Sequence, residues 1–177
     1  MIASATPPED ALPVVREPDP RPELRRRGRH GANWFLALAG LSLLDMVILV
    51  WQQDAKLPVG LGVLRLADLL IRAASNVAPG VSPGTWWGVT LGTAVMGALV
   101  LILVGWHSRR GHLRVYAAGL LGYAADGLLC LLLSDWQGLL FHGIALCGLC
   151  HGWAAFRQLA LVEQSLMFQD SPGEPWR

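Results

Sequence analysis

The sequence predicts an all-α membrane protein: a four-helix transmembrane bundle with an extra amphipathic or re-entrant helix between spans 1 and 2. Only 15% of the 177 residues are charged, whereas a soluble domain of this length carries about 25%. The apolar residues are concentrated in four stretches, each long enough to cross a hydrocarbon core of about 30 Å. These predicted spans are residues 33–51, 86–106, 115–133 and 137–156.

The chain divides into three predicted regions. Residues 1–32 contain six Arg, five acidic residues and many Pro, which predicts a disordered cytoplasmic tail. Residues 33–160 form the transmembrane bundle, and residues 161–177 form a cytoplasmic C-terminal tail. The first apolar run begins near Trp34 and no small-residue cleavage site follows it, so we expect no cleavable signal peptide.

The basic residues predict the orientation of the spans. With four spans and both termini inside, eleven basic residues face the cytoplasm and three face the other side, which is the positive-inside distribution. Counting residues 57–75 as a fifth span removes this asymmetry. We therefore expect a multi-pass protein of the bacterial cytoplasmic (inner) membrane with both termini cytoplasmic. Trp residues, which prefer the headgroup level, mark the predicted span ends: Trp34, Trp51, Trp86, Trp87, Trp106 and Trp136.

The segment 57–75 between the first two spans is apolar but contains Arg65, Asp68 and Arg72. Their spacing places these three side chains on one stripe of a helix, and Gly60 and Gly62 loosen its start. The helix either lies flat on the membrane with its charges in water, or it dips into the bundle so that Arg65 pairs with an acidic group in the spans.

Two carboxylates lie in the middle of predicted spans, Asp45 and Asp126. A charged group there costs at least about 2.5–3.5 kcal/mol, so it faces protein or water and often has a function. At about 1.5 Å per residue, His142 lies at a depth similar to both, and Tyr123 lies one turn from Asp126 on the same face. The cluster is either a proton- or cation-handling site or a hydrogen-bond cluster that fixes helix packing.

Small residues predict close helix contacts. They recur at helical spacing in spans two, three and four, where they let helices approach backbone to backbone in lipid. This pattern favours a tight bundle, although the same faces could form a dimer seam. The residues concerned are Gly88, Gly92, Gly119, Gly122, Ala145, Gly148, Gly152 and Ala155.

The turn between spans three and four is short, which predicts an antiparallel helical hairpin. Its residues Ser134 to Gln137 match the S-x-x-Q pattern of a capping box. The pattern predicts Ser134 as the N-cap of the fourth span.

Cys147, Cys150 and His151 match the C-x-x-C-H pattern of covalent haem attachment. Such attachment needs both thiols on the outer side of the membrane, whereas the predicted topology places them in the inner half of span four. A quinone-linked thiol oxidase needs its cysteine pair near the outer surface and a second pair in an outer loop, and residues 52–85 contain no Cys. We interpret the match as chance, with both cysteines filling a helix contact, and expect no metal or cofactor.

Four motifs and the basic loop from Arg109 to Arg114 together resemble a group of small uncharacterised bacterial polytopic membrane proteins. The motifs are W-F-x-x-x-A-x-L-S-L from Trp34, G-L-G-x-x-x-x-x-D from Gly60, Y-x-x-D-G-L from Tyr123 and D-W-x-x-x-x-F-H from Asp135. The resemblance covers residues 32 to about 160 and implies no known activity. That group often has Asn at the position of Asp45, and apolar residues where this chain has C-x-x-C-H.

We expect the protein to be a structural or interaction subunit and not an enzyme. Its expected partners are the lipid bilayer and either a second copy or another membrane protein. A formal net charge of +1 gives no reason to expect nucleic acid. The alternative is a proton- or ion-handling protein that uses intramembrane Asp and His, and a membrane thiol or haem redox protein is a third hypothesis.

Overall fold

The computed structural model describes residues 18–51, residues 83–169 and five single residues between them. The described chain forms four α-helices, each long and apolar enough to cross a membrane. They are α1 (Arg21–Trp51), α2 (Pro83–Arg109), α3 (Leu113–Leu132) and α4 (Trp136–Gln169). The single residues are Gly62, Leu66, Leu69, Leu70 and Ala73. The helix predicted over residues 57–75 lies mostly outside the described residues, as do Arg65, Asp68 and Arg72.

Helices α1 and α4 are longer than the predicted spans. α1 begins at Arg21, so residues 21–32 are helical and do not belong to a disordered tail. Ion pairs support this extension: Glu23 binds Arg26 at 3.0 Å and Arg27 at 2.9 Å, at the i+3 and i+4 spacing that favours a helix. α4 continues to Gln169, and its Glu163 binds Arg25 of α1 at 3.0 Å.

The four helices pack as a ring of antiparallel neighbours. α1 packs against α2 and α4, and α3 packs against the same two helices. Gly28 and Gly31 of α1 meet Phe156 and Gly152 of α4, so one helix rises as the other descends. The turns between α2 and α3 and between α3 and α4 are short. Both ends of the bundled chain therefore lie at the same end of the bundle, together with the α2–α3 turn.

Both short turns are Schellman motifs. After α2, the N–H of His112 donates to the His107 carbonyl and Gly111 has φ 87°. After α3, the N–H of Asp135 donates to the Cys130 carbonyl, and Ser134 occupies the left-handed position with φ 56°. The prediction that Ser134 caps α4 is therefore wrong.

The residue that caps α4 is Asp135, whose Oδ1 accepts the Gly138 N–H at 3.1 Å. Asp135 thus takes part in both the end of α3 and the start of α4. Because no flexible linker separates the two helices, their relative height is set by this turn.

Tryptophans lie at two levels of the bundle. Trp34 and Trp51 on α1 are about 25 Å apart along the helix axis, and so are Trp136 and Trp153 on α4. Trp51 and Trp136 are strongly exposed at one end of the bundle. The spacing is close to the roughly 30 Å hydrocarbon core of a bilayer, as expected for aromatic belts at its two surfaces.

The core is formed where α1 crosses α4. A Cβ on Gly152 would lie 2.5 Å from the Cα of Gly31, so the two backbones touch. Phe35, Tyr116 and Leu149 are fully buried around this crossing. The small-residue face predicted for span four is therefore a helix contact within the bundle. A Cβ on Gly88 or Gly92 would meet nothing within 4 Å.

Candidate functional site

The structure brings together Asp126 of α3 and His142 of α4. The Nε2 atom of His142 lies 2.9 Å from Oδ2 of Asp126. The short turn between the helices explains the meeting, since it places the two residues at equal height on antiparallel neighbours. His142 is 1% exposed and the Asp126 side chain 11%, so the pair is almost completely removed from solvent or lipid.

The His142 ring contacts three residues besides Asp126. Its Nδ1 lies 2.8 Å from the Gly138 carbonyl oxygen, one turn earlier in α4. The ring of Tyr123 stacks on it with the centroids 4.6 Å apart, and Sγ of Cys130 lies 3.8 Å from Nδ1. The ring therefore has one orientation.

These partners determine how many protons the pair carries. A carbonyl oxygen only accepts hydrogen bonds, so we infer that Nδ1 of His142 carries a hydrogen. One more proton then lies between Nε2 and Oδ2 of Asp126, bound to either atom. In both forms the Asp126–His142 pair has no net charge, which suits a low-dielectric environment.

Gly62 belongs to the same site. Its backbone N–H donates to Oδ2 of Asp126 at 2.9 Å, and the residue is buried. A Cβ at this position would lie 2.6 Å from the Asp126 carbonyl oxygen and 3.1 Å from Sγ of Cys130. The sequence pattern contained a signal for this contact, the two glycines near the start of segment 57–75, but it indicated flexibility and not close approach.

One side of the site borders an apolar groove between α2 and α3. The groove has a volume of about 990 Å³, and both Asp126 and Tyr123 line it. The Tyr123 hydroxyl is buried and has no hydrogen-bond partner within the described part of the chain. The Asp126–His142 pair is therefore approached from this groove.

Asp45 is half-buried on α1, and its membership of the cluster stays a prediction. The prediction that Arg65, Asp68 or Arg72 pairs with an acidic group falls on residues outside the described ranges. The site thus contains three of the predicted residues, Asp126, His142 and Tyr123, and gains Gly62 and Cys130.

The C-x-x-C-H residues lie elsewhere. Cys147, Cys150 and His151 are all exposed on the outer face of α4, while Leu149 between them is fully buried. The prediction that the two cysteines fill a helix contact is therefore wrong, because the rotation of α4 turns Gly148 and Leu149 inward instead. No group of three His, Cys, Asp or Glu side chains that could hold a metal occurs among residues 18–51 and 83–169.

Comparisons with known proteins found no similar protein. No protein-family description, curated protein or solved structure matches this chain. The resemblance to small bacterial membrane proteins consequently stays a prediction.

Proposed function

We propose that the chain is a multi-pass protein of the bacterial inner membrane that acts as a structural or interaction subunit. Four helices that could cross a membrane support the first part. The start of α1 and the end of α4 lie at the same end of the bundle as Arg109 and Arg110. By the positive-inside rule, this supports an inside orientation for both termini. The expected partner is a second copy or another membrane protein.

The observation that carries the structural role is the complete pairing of buried His142. Both ring nitrogens have hydrogen-bond partners supplied by the chain itself, and the Asp126–His142 pair has no net charge. Releasing the shared proton would leave a net charge in low dielectric, which is costly. The pair therefore serves best as a lock that joins α3 to α4.

Proton or ion handling is the second candidate function. It is favoured by the groove between α2 and α3, which reaches Asp126 and Tyr123, and by the Tyr123 hydroxyl, which has no hydrogen-bond partner among the described residues. In that case Asp126 would exchange its proton through the groove and His142 would act as its relay.

A measurement of proton flux distinguishes the structural role from proton handling. We expect wild type and Asp126→Asn, reconstituted in liposomes that contain a pH-sensitive dye, to show the same slow proton leak. The reason is that a structural lock offers no exchangeable proton, and the side-chain amide introduced in Asp126→Asn can still hydrogen-bond to the ring of His142.

Protein-free liposomes are the control for this measurement. A leak well above that of the empty liposomes that disappears in Asp126→Asn would contradict the structural role and support proton handling.

In mild detergent we also expect the protein to elute larger than a monomer, because a subunit remains with its partner. Elution as a monomer would contradict the subunit role.

We also propose that the segment around Gly62 dips into the bundle and does not lie flat on its surface. The Gly62 N–H bond to Asp126 supports this arrangement, since Asp126 lies about 9 Å from the end of α3. An interfacial helix would not bring its backbone to this level.

Gly62→Ala tests whether Gly62 lies inside the bundle. We expect it to lower the free energy of unfolding by about 1–3 kcal/mol, the usual cost of overpacking, because the added methyl meets the Asp126 backbone. The measurement is thermal unfolding in mild detergent. Gly40→Ala is the matched control, since a Cβ at Gly40 meets nothing within 4 Å. Equal unfolding temperatures for the two variants would contradict the close contact of Gly62 with Asp126.

A further inference from the structure

A basic cavity of about 350 Å³ lies at the end of the bundle that holds both ends of the described chain. Helix α1 contributes Arg25 and Arg29 to its lining, and the end of α2 with the following turn contributes Arg109 and Arg110. These residues are distant in sequence and meet because α1 packs antiparallel against α2. We call this feature the arginine cavity.

The arginine cavity has an excess of positive charge. Four arginines line it together with one acidic residue, Glu163, whose carboxylate binds Arg25 at 3.0 Å. Arg29, Arg109 and Arg110 form no ion pair with any residue in the described ranges. Since guanidinium groups stay charged at every physiological pH, the cations repel one another until an anion lies between them.

One wall of the cavity is apolar. It is lined by Phe156 and Leu159, which are 5% and 6% exposed. This wall keeps water from one side of the arginines, and electrostatic attraction is stronger where water is excluded. An anion in the cavity is therefore held more strongly than one on an open basic surface.

The height of the cavity matches the headgroup region of a bilayer. The guanidinium carbon of Arg110 lies 5.1 Å from the ring centroid of Trp106, and that of Arg157 lies 5.6 Å from the ring of Trp153. Tryptophan prefers the headgroup level, and Arg109 and Arg110 follow Trp106 by about 5 Å along the chain. This is the height at which we expect lipid phosphates.

We propose that the arginine cavity binds a phosphate dianion. Guanidinium groups bind phosphate oxygens through paired N–H donors, and an excess of three positive charges accommodates a doubly charged group. The dianion is either the headgroup of an anionic lipid or a soluble phosphate, which share this chemistry. The proposal is independent of the role of the Asp126–His142 pair.

The test uses the full chain in phosphatidylcholine nanodiscs, in three samples. One contains phosphatidic acid as a minor component, one receives inorganic phosphate in the buffer, and one has neither. Bound anion is counted by native mass spectrometry, and affinity is obtained from titrations of the thermal unfolding temperature. We expect Arg29→Gln combined with Arg109→Gln to bind phosphatidic acid at least about tenfold more weakly than wild type.

The matched control is Arg26→Gln combined with Arg157→Gln. It removes the same charge at the same end of the bundle from residues that do not line the arginine cavity, and we expect it to bind like wild type. A second variant, Arg29→Lys with Arg109→Lys, keeps the charge and removes the paired donors, so we expect a smaller loss of affinity.

The three samples and the variants distinguish a lipid ligand, a soluble ligand and the absence of a specific site. Binding of phosphatidic acid that depends on Arg29 and Arg109 supports the proposal with a lipid ligand. Binding of inorganic phosphate alone, with the same dependence, supports it with a soluble ligand. Equal losses in the Arg29/Arg109 and Arg26/Arg157 variants, full affinity in the Lys variant, or binding of neither anion would overturn it.

Discussion

His142→Leu is expected to lower the free energy of unfolding by about 3 kcal/mol, because it leaves the buried Asp126 carboxyl without its main partner. The substitution takes away the ring that shares a proton with Asp126 at 2.9 Å and that stacks on Tyr123. The Asp126 carboxyl then remains in a low-dielectric environment without its main neutralising group. Thermal unfolding in mild detergent, followed by circular dichroism, measures the loss.

Two further variants show whether the pair itself is responsible. Asp126→Asn keeps a hydrogen bond to His142, so we expect a loss of only about 1 kcal/mol. Replacing Asp126 and His142 together with Leu should recover most of the stability, because apolar pairs often substitute for buried ion pairs. If His142→Leu were no more destabilising than Asp126→Asn, the two residues would not form a structural lock.

Gly152→Ala is expected to lower the free energy of unfolding by about 3 kcal/mol, near the upper end of overpacking costs. The added Cβ would lie 2.5 Å from both the Cα of Gly31 and the hydroxyl of Tyr116. The backbones of α1 and α4 must separate to admit it. The Tyr116 hydroxyl, which donates to the Leu149 carbonyl at 2.9 Å, must also move, and a lost hydrogen bond costs about 1 kcal/mol.

Gly143→Ala is the matched control on the same helix. Gly143 is exposed and a Cβ there meets nothing within 4 Å, so we expect a change within about 0.5 kcal/mol. Thermal unfolding of both variants under identical conditions gives the comparison. Similar stability for Gly152→Ala and Gly143→Ala would show that α1 and α4 do not touch at Gly31.

The meeting of Asp126 and His142 could be predicted because depth in a membrane follows directly from the count of residues. Each helical residue adds about 1.5 Å, and a short turn forces the next helix to run back at the same height. The same counting placed tryptophans at the span ends. It also assigned Asp45 to the cluster, but equal depth does not specify which helix faces are in contact, so that assignment stays a prediction.

Other features depended on how segments meet in space. Gly62 binds Asp126 from a distant part of the chain, and the arginine cavity combines residues of α1 and α2. Arg25 near the start of α1 forms an ion pair with Glu163 of α4. No local pattern of charge or hydropathy contains these pairings.

The sequence by itself determined the membrane class of the fold, the four long apolar helices and the heights of their polar residues, because these depend on composition and on the rise per residue. Only the tertiary structure decided which face of each helix turns inward. In lipid, the residues that face neighbouring helices and those that face acyl chains are both apolar, so hydropathy does not distinguish them. Hydropathy therefore could not predict that Gly148 and Leu149 lie at a helix contact while Cys147 and Cys150 lie outside it.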